Sequence, residues 1–112
     1  MNETPFKNKV QKLLKGCGVY VHKNWGGGRF TKSGTPDIFC CIDGTFVAIE
    51  LKSDIGKVEE LQKYHISEIN RARGYGFVLY PKDYNNFEKF VNFLNKGYLK
   101  QAHEISKDFE TY

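Results

Sequence analysis

The residues best suited to do chemistry lie in two short segments, Gly34-Thr35-Pro36-Asp37-Ile38 and Ala48-Ile49-Glu50-Leu51-Lys52. Alternate residues of a β-strand share a face, so an extended 48–52 segment points Glu50 and Lys52 the same way. Asp43-Gly44, set between β-branched and aromatic runs, is a strong hairpin signal. A hairpin turning there brings Asp37 back beside Glu50 and Lys52. Two carboxylates and an ammonium converging from two strands suit hydrolysis of a phosphodiester. Asp37 and Glu50 can hold Mg²⁺ or Mn²⁺, hard cations that prefer oxygen, and the backbone carbonyl of Leu51 can supply a further oxygen. Such an ion polarises the phosphate and lowers the pKa of a bound water. Lys52 can orient that water or stabilise charge in the transition state.

The plainer reading of Glu50-x-Lys52 is a solvated hairpin face whose ions merely pair, an arrangement worth little. Two features argue against it. The charges interrupt Phe46-Val47-Ala48-Ile49, an apolar run that reads as a buried strand. Gly34 and Pro36 also constrain how the chain approaches Asp37.

The elements that must position these groups follow from periodicity. Phe6, Val10, Leu13, Leu14 and Cys17 recur at helical spacing, and Gly16 and Gly18 supply a stop. Pro5 fits only a first turn, so this helix begins around residues 2–4. Residues 19–21 read as a short strand, and 24–34 as a glycine-rich basic loop. Strands over 37–42 and 45–52 form the hairpin, followed by a turn around 54–56. Val58, Leu61, His65, Ile69 and Ala72 then fall on one arc of an amphipathic helix ending near Gly74, with Gln62 on the flank of that stripe. Phe77-Val78-Leu79-Tyr80 is a further strand. Phe87, Phe90, Val91, Phe93 and Leu94 mark a last helix closed by Gly97. Residues 98–112 are weakly patterned. The order α-β-β-β-α-β-α predicts an α/β fold with a mixed β-sheet flanked by helices.

Gly34-x-Pro36-Asp37-Ile38, Gly44, Ile49-Glu50-Leu51-Lys52, Gly56, Gln62 and Gly74 together resemble the VRR-NUC branch of the PD-(D/E)xK nucleases, over roughly residues 2–80. The resemblance implies a restriction-endonuclease-like core of order αβββαβ, here with a C-terminal helix added. It also implies a hydrolase of phosphodiester bonds, an endodeoxyribonuclease requiring magnesium or manganese. Gln62 matches the family's helix glutamine, which adds it to Asp37, Glu50 and Lys52 as a catalytic residue. Glu3 matches the early glutamate, a further metal or water ligand, although Pro5 places Glu3 at or before the helix start. Short stand-alone members, often from phages or prophages, are similar to Holliday-junction resolvases. That implies structure-selective cleavage of four-way DNA junctions by a homodimer in the (host) cytoplasm. The same chemistry on flaps or duplex DNA, and a non-catalytic nucleic-acid-binding module, are the alternatives.

Other residues carry weaker signals. Arg29 and Lys32 could contact DNA from the 24–34 loop, and Ser33 is either a phosphate-binding hydroxyl or an ordinary turn serine. Gly26-Gly27-Gly28 lacks the ending of a phosphate-binding P-loop. Trp25 and Phe30 could wedge into a junction or pack in the core. The Phe87/Phe90/Phe93/Leu94 cluster could form a dimer interface or cap the sheet. His65 reads as a satisfied core histidine. Cys17, Cys40 and Cys41 read as buried free thiols, with adjacent Cys40 and Cys41 on opposite strand faces.

The 112 residues suffice for one domain, 1–112, with one core. A formal net charge of +4 is compatible with a polyanionic partner and does not require one. No apolar stretch is long enough to span a membrane and no signal-peptide pattern opens the chain, which supports the cytoplasmic expectation.

Overall fold

A computed structural model describes residues 3–25 and 33–112, apart from the side chain of Glu3. Helix α1 (Glu3–Gly16) starts with Pro5 in its first turn, where the missing N–H costs nothing. It leads to β1 (Tyr20–Lys23), β2 (Ile38–Ile42) and β3 (Thr45–Leu51). The β2–β3 turn is Asp43-Gly44, with φ of 47° and 83°, the two left-handed residues of the tightest hairpin turn. Helix α2 (Glu60–Arg71) crosses to β4 (Tyr75–Leu79). A single 3-10 turn, Pro81–Asp83, opens α3 (Tyr84–Asn95), and α4 (Leu99–Ser106) follows.

The four strands lie in the order β1-β2-β3-β4, antiparallel except for the parallel β3–β4 pair. This is a mixed sheet in an α/β fold. One face carries Ile38, Cys40 and Ile42 of β2 and Val47, Ile49 and Leu51 of β3, all buried. Onto it pack α1, α3 and α4. Phe77 of β4 centres an aromatic cluster there, with ring centroids of Phe109, Phe90 and Phe87 at 4.7, 5.6 and 6.2 Å.

Two open readings are decided and one expectation changes. Phe87, Phe90 and Leu94 are buried inside this chain's own core and Phe93 is half-buried, so the cluster caps the sheet and is not an available interface. The weakly patterned tail holds α4 and then returns to the sheet: Phe109 is buried, and Val78 N–H donates to the Glu110 carbonyl at 2.8 Å. Residues 107–112 have no regular period because they cover an edge and contribute one aromatic plug. Of the cysteines only Cys40 is buried; Cys17 is half-buried and Cys41 exposed, because strand alternation sends Cys41 to the face that helices leave open. Among the described residues, no helix is long and apolar enough to cross a membrane.

Phe109→Ala should therefore destabilise the fold by about 3 kcal/mol, the cost of emptying a buried aromatic site. Urea unfolding checks it, and a loss well under 1 kcal/mol would separate the tail from the core.

Candidate functional site

Register brings the two carboxylates together. Ile38 pairs with Ile49 across β2 and β3, so the next rung sets Asp37 opposite Glu50, and opposite residues share a face. Asp37 bends to accept the Leu51 N–H at 2.9 Å through Oδ2. A strand residue directs its N–H and C=O to the same neighbour, so the Leu51 carbonyl also points to the Asp37 side. Lys52 continues the ladder, its N–H donating to the Leu79 carbonyl at 3.0 Å. Its Nζ lies 3.3 Å from Oε2 of Glu50.

Glu50 is the most buried of these groups, at 3% exposure. A carboxylate so placed stays ionised only where charge and hydrogen-bond donors replace water. Lys52 is one such group, and Gln62 is another: its Nε2 donates to the same Oε2 at 2.8 Å. The other end of the Gln62 amide accepts the Glu59 N–H at 2.9 Å, at the N-terminus of α2. That bond determines which end of the amide faces Glu50. A carbonyl there would repel the carboxylate, so capping the helix and holding Glu50 are one act.

Close approaches of backbone position these elements. Gly34 has φ of +81°, and a Cβ there would stand 2.7 Å from Cγ of Leu61. The segment leading to Asp37 is thereby seated against the first turn of α2. A Cβ at Gly56 would stand 3.2 Å from Cβ and Cδ of Lys52, so the turn after β3 folds against the lysine stem. Asn24 clamps the far side: its N–H donates to the Asp37 carbonyl and its Nδ2 to the Pro36 carbonyl, both at 2.8 Å.

α1 adds a cation. Nζ of Lys7 stands 3.9 Å from Oδ1 of Asp37 and 4.9 Å from the centre of the Trp25 ring, and both charged side chains are mostly shielded from water. Trp25 packs against the hydrophobic core, which is the core reading of that residue. Lys7, Asn24 and the Glu59 end of the cap escaped the sequence analysis. The Glu59-x-x-Gln62 spacing was a legible capping signal. Lys7 is one of several lysines off the apolar stripe of α1, and nothing local distinguishes it.

The residues expected at the site fall into three groups. Asp37, Glu50, Lys52, Gln62 and the Leu51 backbone come together. Ser33 is exposed in the turn before Gly34. Arg29 and Lys32, with Phe30 and the glycine run, lie outside the described residues; Glu3 opens α1 four residues before Lys7, but its side chain lies outside them too.

The expected phase of α2 needs correction. Val58 precedes the helix, Leu61 is 46% exposed, and Ala72 is exposed beyond its end. The fully buried residue is Ile66, because α2 rests on a floor of glycine: a Cβ at Gly76 would stand 3.0 Å from the Ile66 carbonyl oxygen. His65 is therefore only half-buried, edge-on to Tyr64 at 5.6 Å, and is not a core histidine.

The donor set fits a hard divalent cation, since Asp37, Glu50 and the Leu51 carbonyl offer oxygen alone. Among the described residues, no group of three or more His, Cys, Asp and Glu side chains is placed to hold a metal, so the carbonyl would complete a two-carboxylate set. No family model matches this chain, and no curated protein or solved structure matches it.

Gly34→Ala should cost about 2 kcal/mol, from a left-handed alanine and its clash with Leu61. Gly16→Ala, with nothing within 4 Å of the added carbon, is the control and should be neutral or stabilising. Equal unfolding midpoints for the two variants would show that Gly34 does not set the approach of Asp37.

Proposed function

We propose that the chain is a metal-dependent endodeoxyribonuclease with a restriction-endonuclease-like core, of the kind its resemblance to the VRR-NUC branch implies. The supporting observation is a carboxylate, Glu50, almost wholly buried at the end of a strand, 3.3 Å from a lysine amine and one rung across from Asp37. A surface ion pair would have no need of that burial, which costs several kcal/mol per ion without compensation.

In this reading Asp37, Glu50 and the Leu51 carbonyl would hold Mg²⁺ or Mn²⁺. The bound ion supplies positive charge at the phosphate and acidifies water. Lys52 places its ammonium beside the phosphate and neutralises charge growing on the non-bridging oxygens. Gln62 acts through Glu50, as a positioning residue; its hydrogen bonds go to the carboxylate and to the helix cap. Lys7 adds a second cation on the Asp37 side. The proposed substrate is branched DNA, foremost the four-way junction, cut symmetrically by a homodimer that presents two such sites. The proposed setting is the cytoplasm, a host's if the chain is phage-encoded.

Asp37→Asn should abolish Mg²⁺- or Mn²⁺-dependent cleavage of labelled junction, flap and duplex DNA, with folding and DNA binding largely retained. Cleavage at the wild-type rate by this variant would sink the assignment. Paired symmetric cuts confined to the junction, together with a dimer in sedimentation, would establish the junction role. Cutting of flaps or duplex alone would keep the chemistry and discard that role. If junctions are bound but nothing is cut, the chain is a binding module, with affinity set by salt and not by Mg²⁺.

A further inference from the structure

The two faces of the sheet are covered unequally. On the face that carries Asp37, Glu50 and Lys52, α2 is the one helix among the described residues, and it overlies the β3–β4 half. Cross-strand register puts Tyr20, His22, Phe39 and Cys41 of β1 and β2 on this same face, with Phe46 of β3 beside them. Tyr20 is 72% and Phe46 44% exposed, His22 and Cys41 are exposed, and Phe39 is half-buried. The Phe39 and Phe46 rings pack at 5.4 Å, tilted by 52°. No carboxylate stands among these five residues.

This patch is continuous with the candidate site. Asp37 precedes Phe39 by two strand residues, an advance of about 6.7 Å along the same face. That distance spans roughly two base steps of 3.4 Å. We infer that the open half of this face is a stacking platform for unpaired DNA bases adjoining the scissile phosphate. The inference rests on the nuclease reading and sharpens its substrate class: DNA with splayed bases beside the cut, such as an opened branch or a flap, in place of continuous duplex.

Three arguments select this occupant. The five side chains carry no negative charge of their own, and aromatic rings accept the π-face of any base. The candidate-site end of the patch is where phosphate would lie: Lys52 and Lys7 stand 3.3 and 3.9 Å from the Glu50 and Asp37 carboxylates, and with the proposed cation they would outweigh those two charges. A base inside a duplex, by contrast, keeps both faces against its neighbours, and a blunt end exposes only the outer face of its last pair.

The test uses the full chain in Ca²⁺, a hard cation of the same ligand preference, and an oligothymidylate single strand or a blunt duplex as probe. Cys41 reports on the platform through maleimide alkylation, and Cys17 serves as reference. Cys40 stays silent: burial first, and neighbouring Cys41 second, push its thiol up to about 12. The single strand should slow Cys41 alkylation about tenfold and leave Cys17 unchanged, and Tyr20→Ala should weaken its binding about tenfold, within the range of one lost stack. The duplex should protect Cys41 far less. An unprotected Cys41 under saturating single strand overturns the inference. So does protection that rises with protein concentration in the absence of DNA, which would assign the face to a second copy. Mg²⁺-dependent cleavage by the wild type, run in parallel, separates the two readings. Cleavage with unprotected Cys41 leaves the nuclease and removes the platform; protection without cleavage supports the platform and removes the nuclease.

Discussion

A carboxylate buried at the end of a central strand is the constraint on which the local architecture turns. Removing a carboxylate from water, as at Glu50, is tolerable only where other charges and donors take water's place. Lys52 follows from strand alternation, two residues along the same face. Gln62 comes from another element and must be delivered. The turn after β3 packs Gly56 against the Lys52 stem, Glu59 caps α2, and the first helical turn then presents the glutamine amide with its donor end toward Glu50. Hairpin, turn and helix are coupled through one anion.

The same coupling explains why glycine recurs around the site. Gly34 and Gly56 lie where the chain passes so near Leu61 and Lys52 that a Cβ would stand 2.7 and 3.2 Å from their side chains, and Gly76 lets α2 settle on the sheet. Close packing at these points brings segments distant in sequence into register with Asp37 and Glu50. Side chains larger than hydrogen would prise the layers apart. Asn24 completes the arrangement from the β1 side with bonds to the Pro36 and Asp37 carbonyls.

Coverage of the sheet is lopsided for a topological reason. α1, α3 and α4 share one face, and the tail closes the β4 edge through the Val78–Glu110 bridge. Among the described residues, only the β3–α2–β4 crossover serves the opposite face, and a single helix spans about two strands. The candidate site thus sits at the margin of the cover that α2 provides: Glu50 is almost wholly buried beneath the Gln62 turn, while Asp37, on the neighbouring strand side, meets Lys7 of α1. For the proposed phosphodiester chemistry, that margin allows a polymer to reach groups that are themselves shielded from solvent.

Much of this was legible before folding. The Asp43-Gly44 turn, strand alternation and the apolar run ending in Glu50-Leu51-Lys52 determine the hairpin and the juxtaposition of Asp37 with Glu50, because these depend only on local geometry of period two. The helix at Phe6, Val10 and Leu14 was equally plain. What the sequence could not determine was contact between elements with no common period. The phase of α2 depended on where its first turn was capped and on the glycine floor beneath Ile66; Val58, outside the helix, misled the stripe. Lys7 meets Asp37 only because α1 packs on the sheet, and Asn24 meets Pro36 only because β1 pairs with β2. Phe109 is one apolar residue in an irregular tail, and its burial is decided by the aromatic cluster that receives it. Local patterns are set by backbone stereochemistry, residue by residue, whereas long-range pairings are set by the shape of surfaces that exist only once the sheet and its helices have met.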